Sequence, residues 1–302
     1  MNKITLIPYK TIELSQEVNY FKYKFKSGSF AIIKNVENTD EYILNFRCII
    51  NNAYNSNLNN LLITINKILK LDKNYSIIDE NKNIIPSLLP AIIRNKNAAK
   101  KSIYGIEDMR IFNYNNKIKI IGSHQTKNNT LNIVSGNYNY LKNSLENVNI
   151  LNHASNYQQI EKNWVYFEKN DTLQVIYKWY PLQICEINST NLNVVTEQKM
   201  PPFFKTARGS SCGVKYKNQL WFVVHFNTNG HYSHFFTVFD MNMKLIKFSK
   251  NFKFKGAKIE FCIGLYIDDN NNFLIPYSIH DTQSFLGIYH ISMINKLPWK
   301  FV

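Results

Sequence analysis

The chain has 302 residues, of which 45% are hydrophobic and 14% aromatic, and it carries a formal net charge of +15. This aromatic content excludes a disordered chain, because disordered chains are poor in aromatic and β-branched residues. Of the 36 basic residues only four are arginines, and no run reaches five like charges. We therefore attribute most of the charge to lysines on solvated faces, and we expect no nucleic-acid partner.

From the sequence we expect no membrane span and no signal peptide. No hydrophobic stretch approaches the roughly 20 residues that a membrane span needs, and the N-terminus is too quickly polar for a signal peptide. The four cysteines, Cys48, Cys185, Cys212 and Cys262, lie far apart within apolar runs. This spacing favours buried thiols in a reducing compartment and disfavours zinc. We expect a cytoplasmic protein with no metal and no cofactor.

Short β runs separated by Asn, Asp and Gly turns dominate the chain. Each run is rich in β-branched and aromatic residues, which favour strands. In chain order the strongest are Glu41–Ile50, Lys117–Ser123, Leu173–Trp179, Leu220–Phe226, Phe235–Asp240 and Phe273–Ser278. Ser56–Leu71 is the best candidate for an amphipathic helix, and Lys247–Lys258 is predicted as a half-buried strand with a solvated face.

Strand pairs recur in five units of about 40–55 residues, the length typical of propeller blades. The units lie near residues 28–50, 105–125, 161–185, 208–240 and 259–290. Because proline is rare and no linker composition appears, we expect one all-β domain over residues 1–302. A five-bladed β-propeller, a sandwich and a pair of barrels all fit this spacing.

The sharpest local pattern is Gly105–Phe112, in which two adjacent carboxylates, Glu107 and Asp108, precede Arg110. On a strand, Asp108 and Arg110 face the same side because side chains alternate. An arginine beside a carboxylate lowers the pKa of that carboxylate, whereas burial raises it, and such a cluster suits general acid chemistry. A structural ion pair that closes a turn explains the same residues equally well.

The segment Glu107-Asp108-Met109-Arg110-Ile111 resembles the Glu-Asp-Pro-Arg-Ile signature of five-bladed β-propeller carbohydrate enzymes, the β-mannoside phosphorylases and related mannosyltransferases. Further motifs follow in the family's order over about residues 28–290: Leu44–Arg47, Glu161–Phe167, Tyr177–Pro181, Arg208–Ser211, Val224–Phe226 and Tyr277–Thr282. Two other segments resemble a propeller domain found beside bacterial glycosyltransferase domains: Tyr232–His234 and Ile259–Phe261. The resemblance implies a five-bladed β-propeller.

The resemblance also implies a role for each motif residue. Asp108 is expected to be the general acid/base, with Glu107 orienting Arg110 or a hydroxyl group. The residues expected to hold phosphate are Lys162, Lys178, His225 and Tyr232. The residues expected to bind substrate are Arg47, Arg110, Arg208, Asp281 and Glu260. Lys178 stands where the family has arginine, and lysine offers a point charge in place of a bidentate fork.

Together these resemblances imply a glycosyltransferase or a glycoside phosphorylase that transfers a sugar, with mannose as one candidate, to or from a phosphate-bearing donor. The expected partners are a sugar phosphate, a nucleotide sugar or an oligosaccharide. A glycoside hydrolase of the same propeller clan and a non-catalytic glycan-binding propeller are the alternatives. Most glycosidases use two carboxylates, whereas the basic residues of the third and fourth units favour a phosphate.

Overall fold

The computed structural model describes residues 4–20, 23–50, 61–84, 102–125, 130–153 and 160–302. Nearly all of its regular elements are β-strands, which confirms the all-β class. Two short strands come first, β1 (Ile4–Thr5) and β2 (Lys10–Glu13), and both join sheets formed by later parts of the chain. The other described strands form five mainly antiparallel groups in chain order, which we number 1 to 5.

Group 1 contains β3 (Glu17–Tyr20), β4 (Tyr23–Lys34), β5 (Tyr42–Ile50), β6 (Leu61–Leu71), β7 (Ile77–Ile84) and β8 (Ser102–Tyr104). The helix predicted over Ser56–Leu71 is wrong in its described part, because residues 64–71 pair with β5. Residues 63–69 are all buried. The segment therefore lacks the alternation by which a half-exposed strand is recognised. Residues 56–60 lie outside the described residues.

Groups 2 and 3 are four-stranded antiparallel meanders. Group 2 contains β9 (Glu107–Tyr114), β10 (Lys117–Gln125), β11 (Leu131–Asn139) and β12 (Ser144–His153). Group 3 contains β13 (Val165–Lys169), β14 (Thr172–Trp179), β15 (Leu182–Asn188) and β16 (Asn191–Gln198). A short parallel pairing between β12 and β16 joins the two meanders into one eight-stranded sheet.

Group 4 follows a 3-10 helix (Pro202–Thr206) and contains β17 (Arg208–Gly209), β18 (Val214–Tyr216), β19 (Gln219–Thr228), β20 (His231–Asp240), β21 (Leu245–Ser249) and β22 (Phe252–Lys253). The strand predicted over Lys247–Lys258 is correct only in part, because regular pairing stops at β22. The interruption has a physical cause, since the loop that follows bonds to a buried carboxylate described below. No helix among the described residues is long and apolar enough to cross a membrane.

Group 5 contains β23 (Glu260–Phe261), β24 (Tyr266–Ile267), β25 (Asn272–Ile279) and β26 (Gln283–His290), and it is followed by α1 (Ile291–Ile294) and β27 (Trp299–Phe301). Strands from the two ends of the chain complete the last two groups. β2 pairs with β26 in group 5, whereas β1 pairs with β22 and β27 pairs with β21 in group 4.

The five groups close into a ring. β4 contacts β9, β9 contacts β13, β14 contacts β17, β20 contacts β23, and β25 returns to β4. Each group buries its faces against its neighbours, which is how a propeller covers sheets that would otherwise expose apolar surface. The number of blades stays a prediction, because groups 2 and 3 share one continuous sheet.

The apolar core lies between neighbouring groups. Ile33 on β4, Ile111 on β9 and Ile263 in group 5 belong to one buried cluster. This cluster fixes the inner strands, so that polar residues at their ends are held in defined positions. The four cysteines are buried and unpaired, as the sequence predicts, and burial raises the pKa of the Cys212 thiol to about 11.

Candidate active site

The start of β9 carries the two adjacent carboxylates. Asp108 has a backbone φ of 50°, a left-handed conformation that costs free energy in a residue with a Cβ atom. It lies in a β-bulge, in which Asp108 and Met109 together stand opposite Gly122 of β10. A Cβ atom on Gly122 would lie 3.0 Å from the carbonyl oxygen of Glu107. The bulge therefore requires glycine on β10, and it re-aims the Asp108 side chain.

Two buried asparagines of group 1 hold this bulge. Asn45 Nδ2 donates to the carbonyl oxygen of Met109 at 2.7 Å, and Asn66 Nδ2 donates to that of Ile106 at 3.2 Å. The two asparagines also bond to each other at 3.2 Å. The strained backbone is thus fixed from a neighbouring group. Asn45 lies within the Leu44–Arg47 motif but was given no role, and Asn66 lies in no motif.

Arg47 on β5 binds both carboxylates. Nη1 lies 3.0 Å from Asp108 Oδ1, and Nη2 lies 2.8 Å from Glu107 Oε1. Burial lowers the pKa of Arg47, but the carboxylates outweigh burial and raise it overall. The guanidinium is therefore a fixed cation, and its planar fork can pair with both carboxylates at once, unlike a lysine ammonium.

Glu107 has a cation on each carboxylate oxygen. Oε1 accepts from Arg47, and Oε2 lies 3.0 Å from Nζ of Lys162. Glu107 is buried, whereas the Lys162 side chain is about one-third exposed, at 34%. With both oxygens engaged, Glu107 is suited to orient these two cations.

Asp108 also accepts a hydrogen bond on Oδ1 from the buried hydroxyl of Ser29, at 3.1 Å. Sequence reasoning missed Ser29, although Ser27-Gly28-Ser29 interrupts an apolar strand and could have marked it. Among the described residues no hydrogen bond reaches Oδ2 of Asp108, which leaves that oxygen available to a substrate.

Arg110 bonds to the protein through each of its three nitrogens. Nε donates to the Ser210 carbonyl at 2.6 Å, Nη1 to the Asp108 carbonyl at 3.0 Å, and Nη2 to the Gly209 carbonyl at 3.1 Å and to Asn163 Oδ1 at 3.3 Å. The side chain is 1% exposed. Simple strand alternation predicts that the Arg110 side chain points the same way as that of Asp108, toward Arg47. The bulge breaks this alternation, and Arg110 points elsewhere. These contacts suit Arg110 to position the backbone at Asp108, Gly209 and Ser210.

His225 and Tyr232 lie on the paired strands β19 and β20, with their rings stacked at a centroid distance of 5.7 Å. His225 is 1% exposed, and its Nδ1 lies 2.9 Å from the hydroxyl of Ser210. Burial, followed by the nearby His234 and two arginines, lowers the pKa of His225 well below its ordinary value. His225 is therefore neutral at pH 7.

Asp281 lies in the turn between β25 and β26, where His280 and Asp281 have φ values of 52° and 53°, as in a type I′ turn. The turn packs on β4, since a Cβ atom on Gly28 would lie 3.4 Å from Asp281 Oδ1. Burial raises the pKa of Asp281, as does the Asp108 carboxylate, and Arg47 partly opposes both. The structure thus brings Asp281 to the same region as the carboxylate pair.

Glu260, expected to bind substrate, has other partners. It is fully buried, and its carboxylate accepts hydrogen bonds from the backbone N–H groups of Phe254, Lys255 and Ala257 at 2.7–2.8 Å. These bonds use both oxygens to fix the loop after β22. The contacts of Glu260 among the described residues are thus with this loop, and the side chain has no exposed face.

A cavity of about 320 Å³ lies between groups 3 and 4. Its charged lining residues are Lys162, Lys178, Lys205, Arg208 and Glu161, and its aromatic lining residues are Trp164, Tyr177, Trp179 and Tyr180. We call it the cationic cavity. Lys205, at the end of the 3-10 helix, was not predicted, because it belongs to no motif and is one lysine among many. Arg208 is exposed, and its side chain makes no hydrogen bond or ion pair among the described residues.

Solved structures provide three comparisons. The chain is similar to a β-1,2-mannobiose phosphorylase from Listeria innocua, with a TM-score of 0.64 and 12% identity over 93% of this chain and 95% of that one. It is similar to a putative glycoside hydrolase from Parabacteroides distasonis, with a TM-score of 0.61 and 11% identity over 87% and 86%. A GDP-Man-dependent mannosyltransferase from Leishmania mexicana gives a TM-score of 0.54 and 11% identity over 88% and 86%.

At these identities the likeness establishes the fold. The chain has the β-propeller fold of these carbohydrate-active enzymes, which confirms the resemblance inferred from the sequence motifs. No family model matches the sequence, and no curated protein is significantly similar to it.

Proposed function

We propose that this protein is a carbohydrate-active enzyme that transfers a sugar to or from a phosphate-bearing donor, as a glycosyltransferase or a phosphorylase, with Asp108 as its acid/base residue. The observation that carries the proposal is the connection between the cationic cavity and the carboxylate pair through Lys162. Four cations and one carboxylate line the cavity. A phosphate group offsets that excess of positive charge, whereas a neutral sugar does not.

The volume of the cavity also supports this class of substrate. About 320 Å³ lies at the lower end of the range for small-molecule sites, roughly 300–1,000 Å³, and exceeds what one inorganic phosphate needs. The half-buried Tyr180 offers apolar surface beside the cations, and the buried Trp164 and Trp179 line the same cavity. A sugar phosphate or a nucleotide sugar combines an anionic group with a larger body that such surface can contact.

In the proposed reaction the bond from the sugar's anomeric carbon to one oxygen breaks as the bond to another oxygen forms. Asp108 Oδ2 takes or returns the proton of the non-phosphate oxygen. Lys178, Lys205 and Arg208 hold the phosphate in the cationic cavity, while Asp281 binds sugar hydroxyls. Tyr232 lies near enough to both aspartates for their charges to raise its pKa, after the larger effect of burial.

The test is a binding screen on the purified protein with inorganic phosphate, mannose 1-phosphate, UDP-sugars and GDP-mannose, read as the shift in melting temperature. We expect stabilisation by at least one of these compounds, and a smaller shift in the double variant Lys178→Met/Lys205→Met. Lys244→Met, at an exposed position outside the cavity, is the matched control. Equal shifts in the wild type and the double variant, or no shift with any compound, would overturn the proposal.

Hydrolysis is the second candidate, and Asp281 is the observation that favours it. A glycosidase needs a second carboxylate near the acid, and Asp281 packs on Gly28, next to the Ser29 that bonds to Asp108. Product analysis with and without phosphate separates the two reactions. Release of free sugar at the same rate in the absence of phosphate supports hydrolysis and contradicts phosphorolysis.

A further inference from the structure

His225 and Ser210 form a hydrogen-bonded pair whose direction can be worked out. The Ser210 hydroxyl is fully buried, and its only hydrogen bond among the described residues joins it to His225 Nδ1 at 2.9 Å. A buried hydroxyl that finds no acceptor loses the free energy of a hydrogen bond. The hydroxyl therefore donates to Nδ1, which must be unprotonated to accept.

This direction fixes the state of the imidazole ring. A neutral histidine carries one proton, so a Nδ1 that accepts leaves the proton on Nε2. The lowered pKa of His225 agrees with a neutral ring. Nε2 has no hydrogen-bond partner among the described residues. The ring is thus held as a hydrogen-bond donor whose donating atom the protein leaves unused.

Ser210 is itself held from two directions. Its carbonyl oxygen accepts from Arg110 Nε at 2.6 Å, and its N–H donates to the Val223 carbonyl at 3.2 Å. Arg110 also bonds to the carbonyl of Asp108. One buried guanidinium therefore connects the backbone of the acid/base residue to the serine that orients His225.

The surroundings of His225 indicate what it binds. On one side it is paired in the sheet with Arg208, a cation of the cationic cavity. On the other side its ring stacks on Tyr232, whose pKa responds to Asp108 and Asp281. His225 thus adjoins a residue of the cationic cavity on one side and a residue close to the two aspartates on the other.

We propose that Ser210 is a positioning residue that holds His225 as a neutral Nε2–H donor to an acceptor oxygen of the phosphate-bearing substrate. The proposal rests on the function proposed above for the identity of that oxygen. A neutral N–H donor selects an oxygen that can accept, which an ionised phosphate always offers.

The first experiment needs no substrate. Nitrogen-15 NMR of the full chain labelled at histidine distinguishes the two neutral tautomers and the charged ring, and the His225→Gln variant identifies the His225 signals. We expect the Nε2–H tautomer in the wild type at pH 7, and an increased Nδ1–H population in Ser210→Ala. Ser210→Thr, which keeps the hydroxyl, should restore the wild-type tautomer. A charged ring or a Nδ1–H tautomer in the wild type overturns the proposal.

The second experiment measures binding of mannose 1-phosphate and of inorganic phosphate by calorimetry. A glutamine side-chain amide can replace the Nε2 donor of histidine, whereas an asparagine amide reaches only the Nδ1 position. We expect His225→Gln to bind within about 3-fold of the wild type and His225→Asn to bind about 10-fold more weakly. Equal weakening in both variants contradicts the assigned donor. If neither probe binds the wild type while the tautomer is as expected, the proposed substrate class fails and the assignment of Ser210 stands.

Discussion

Lys162 Nζ lies 3.0 Å from Glu107 Oε2 while the same side chain lines the cationic cavity. This single lysine connects the proposed phosphate site to the carboxylate pair, because Glu107 in turn shares Arg47 with Asp108. An anion in the cavity and the Glu107 carboxylate therefore interact with one ammonium group. Both charges are partly shielded from water, so the interaction is stronger than that of an exposed ion pair.

The first prediction concerns this lysine. Lys162→Met removes a cation from the cavity and one partner of Glu107. Hydrogen bonds to charged groups are worth about 1.5–3 kcal/mol, so the affinity for a phosphate-bearing probe should fall about 10- to 100-fold. Calorimetry with mannose 1-phosphate measures the change, and Lys244→Met should bind like the wild type. Unchanged affinity in Lys162→Met removes Lys162 from the proposed site.

The second prediction concerns stability. Arg47→Met leaves Glu107 and Asp108 without their shared cation, and breaking a buried ion pair costs about 3–5 kcal/mol. The free energy of unfolding at pH 7, measured by urea denaturation, should fall by this amount. The control is Lys142→Met, which breaks an exposed pair with Glu146 at 3.4 Å and should cost at most about 1 kcal/mol. Equal effects in the two variants would mean that the Arg47 pairs are not buried in solution.

Much of the fold could be predicted from the sequence, because runs rich in β-branched and aromatic residues, bounded by turn residues, indicate strands. The run Phe273–Ser278 lies within β25, and Glu41–Ile50 is nearly identical to β5. The strand β6 was missed, because its apolar residues also fit the spacing of an amphipathic helix. The order of the motifs along the chain predicted the fold correctly where single motifs were too short to do so.

The candidate site was predictable only where a motif carried it. Arg47, Glu107 and Asp108 lie together as their motifs predict, and Lys162 joins them. Ser29 was not predicted, because its role comes from a hydrogen bond to Asp108 in the neighbouring group. The order of residues along the chain does not reveal contacts between groups. Alternation predicted that Asp108 and Arg110 face the same side of the strand, and a β-bulge at Asp108 breaks that alternation.

The third prediction is a pH dependence that arises at His234. This residue is fully buried, and neither ring nitrogen has a hydrogen-bond partner among the described residues. Burial, followed by the charge of Lys253, lowers the pKa of His234 to about 3. In the unfolded chain His234 binds a proton near pH 6.5, whereas in the folded chain it stays neutral until about pH 3. The contribution of His234 to the free energy of unfolding is therefore complete above pH 6.5 and is lost as the pH falls toward 3.

The variant His234→Phe tests this dependence, because the neighbouring rings of Phe252 and Phe254 offer an apolar site. Between pH 6.5 and pH 5 the wild type should lose about 2 kcal/mol through this residue, and the variant should lose correspondingly less. Urea denaturation across this pH range measures both proteins. His231→Gln, at an exposed position on the same strand, should follow the wild type, and a parallel loss in His234→Phe would contradict the assignment.

The fourth prediction separates two roles for Arg110. As a positioning residue it holds the carbonyls of Asp108, Gly209 and Ser210. Arg110→Met leaves these buried acceptors unpaired, at about 1–3 kcal/mol each, so unfolding should become easier by several kcal/mol. Arg110→Lys should recover part of that loss, because one ammonium can reach only some of the acceptors.

A role in binding substrate gives a different result for Arg110. The affinity for phosphate-bearing probes would then fall in both variants, while the free energy of unfolding would stay close to that of the wild type. The positioning role instead predicts that Arg110→Lys also disturbs the tautomer of His225, since the same guanidinium supports Ser210. Two measurements on each variant decide between the roles without any substrate. They are the free energy of unfolding from urea denaturation and the tautomer of His225 from nitrogen-15 NMR.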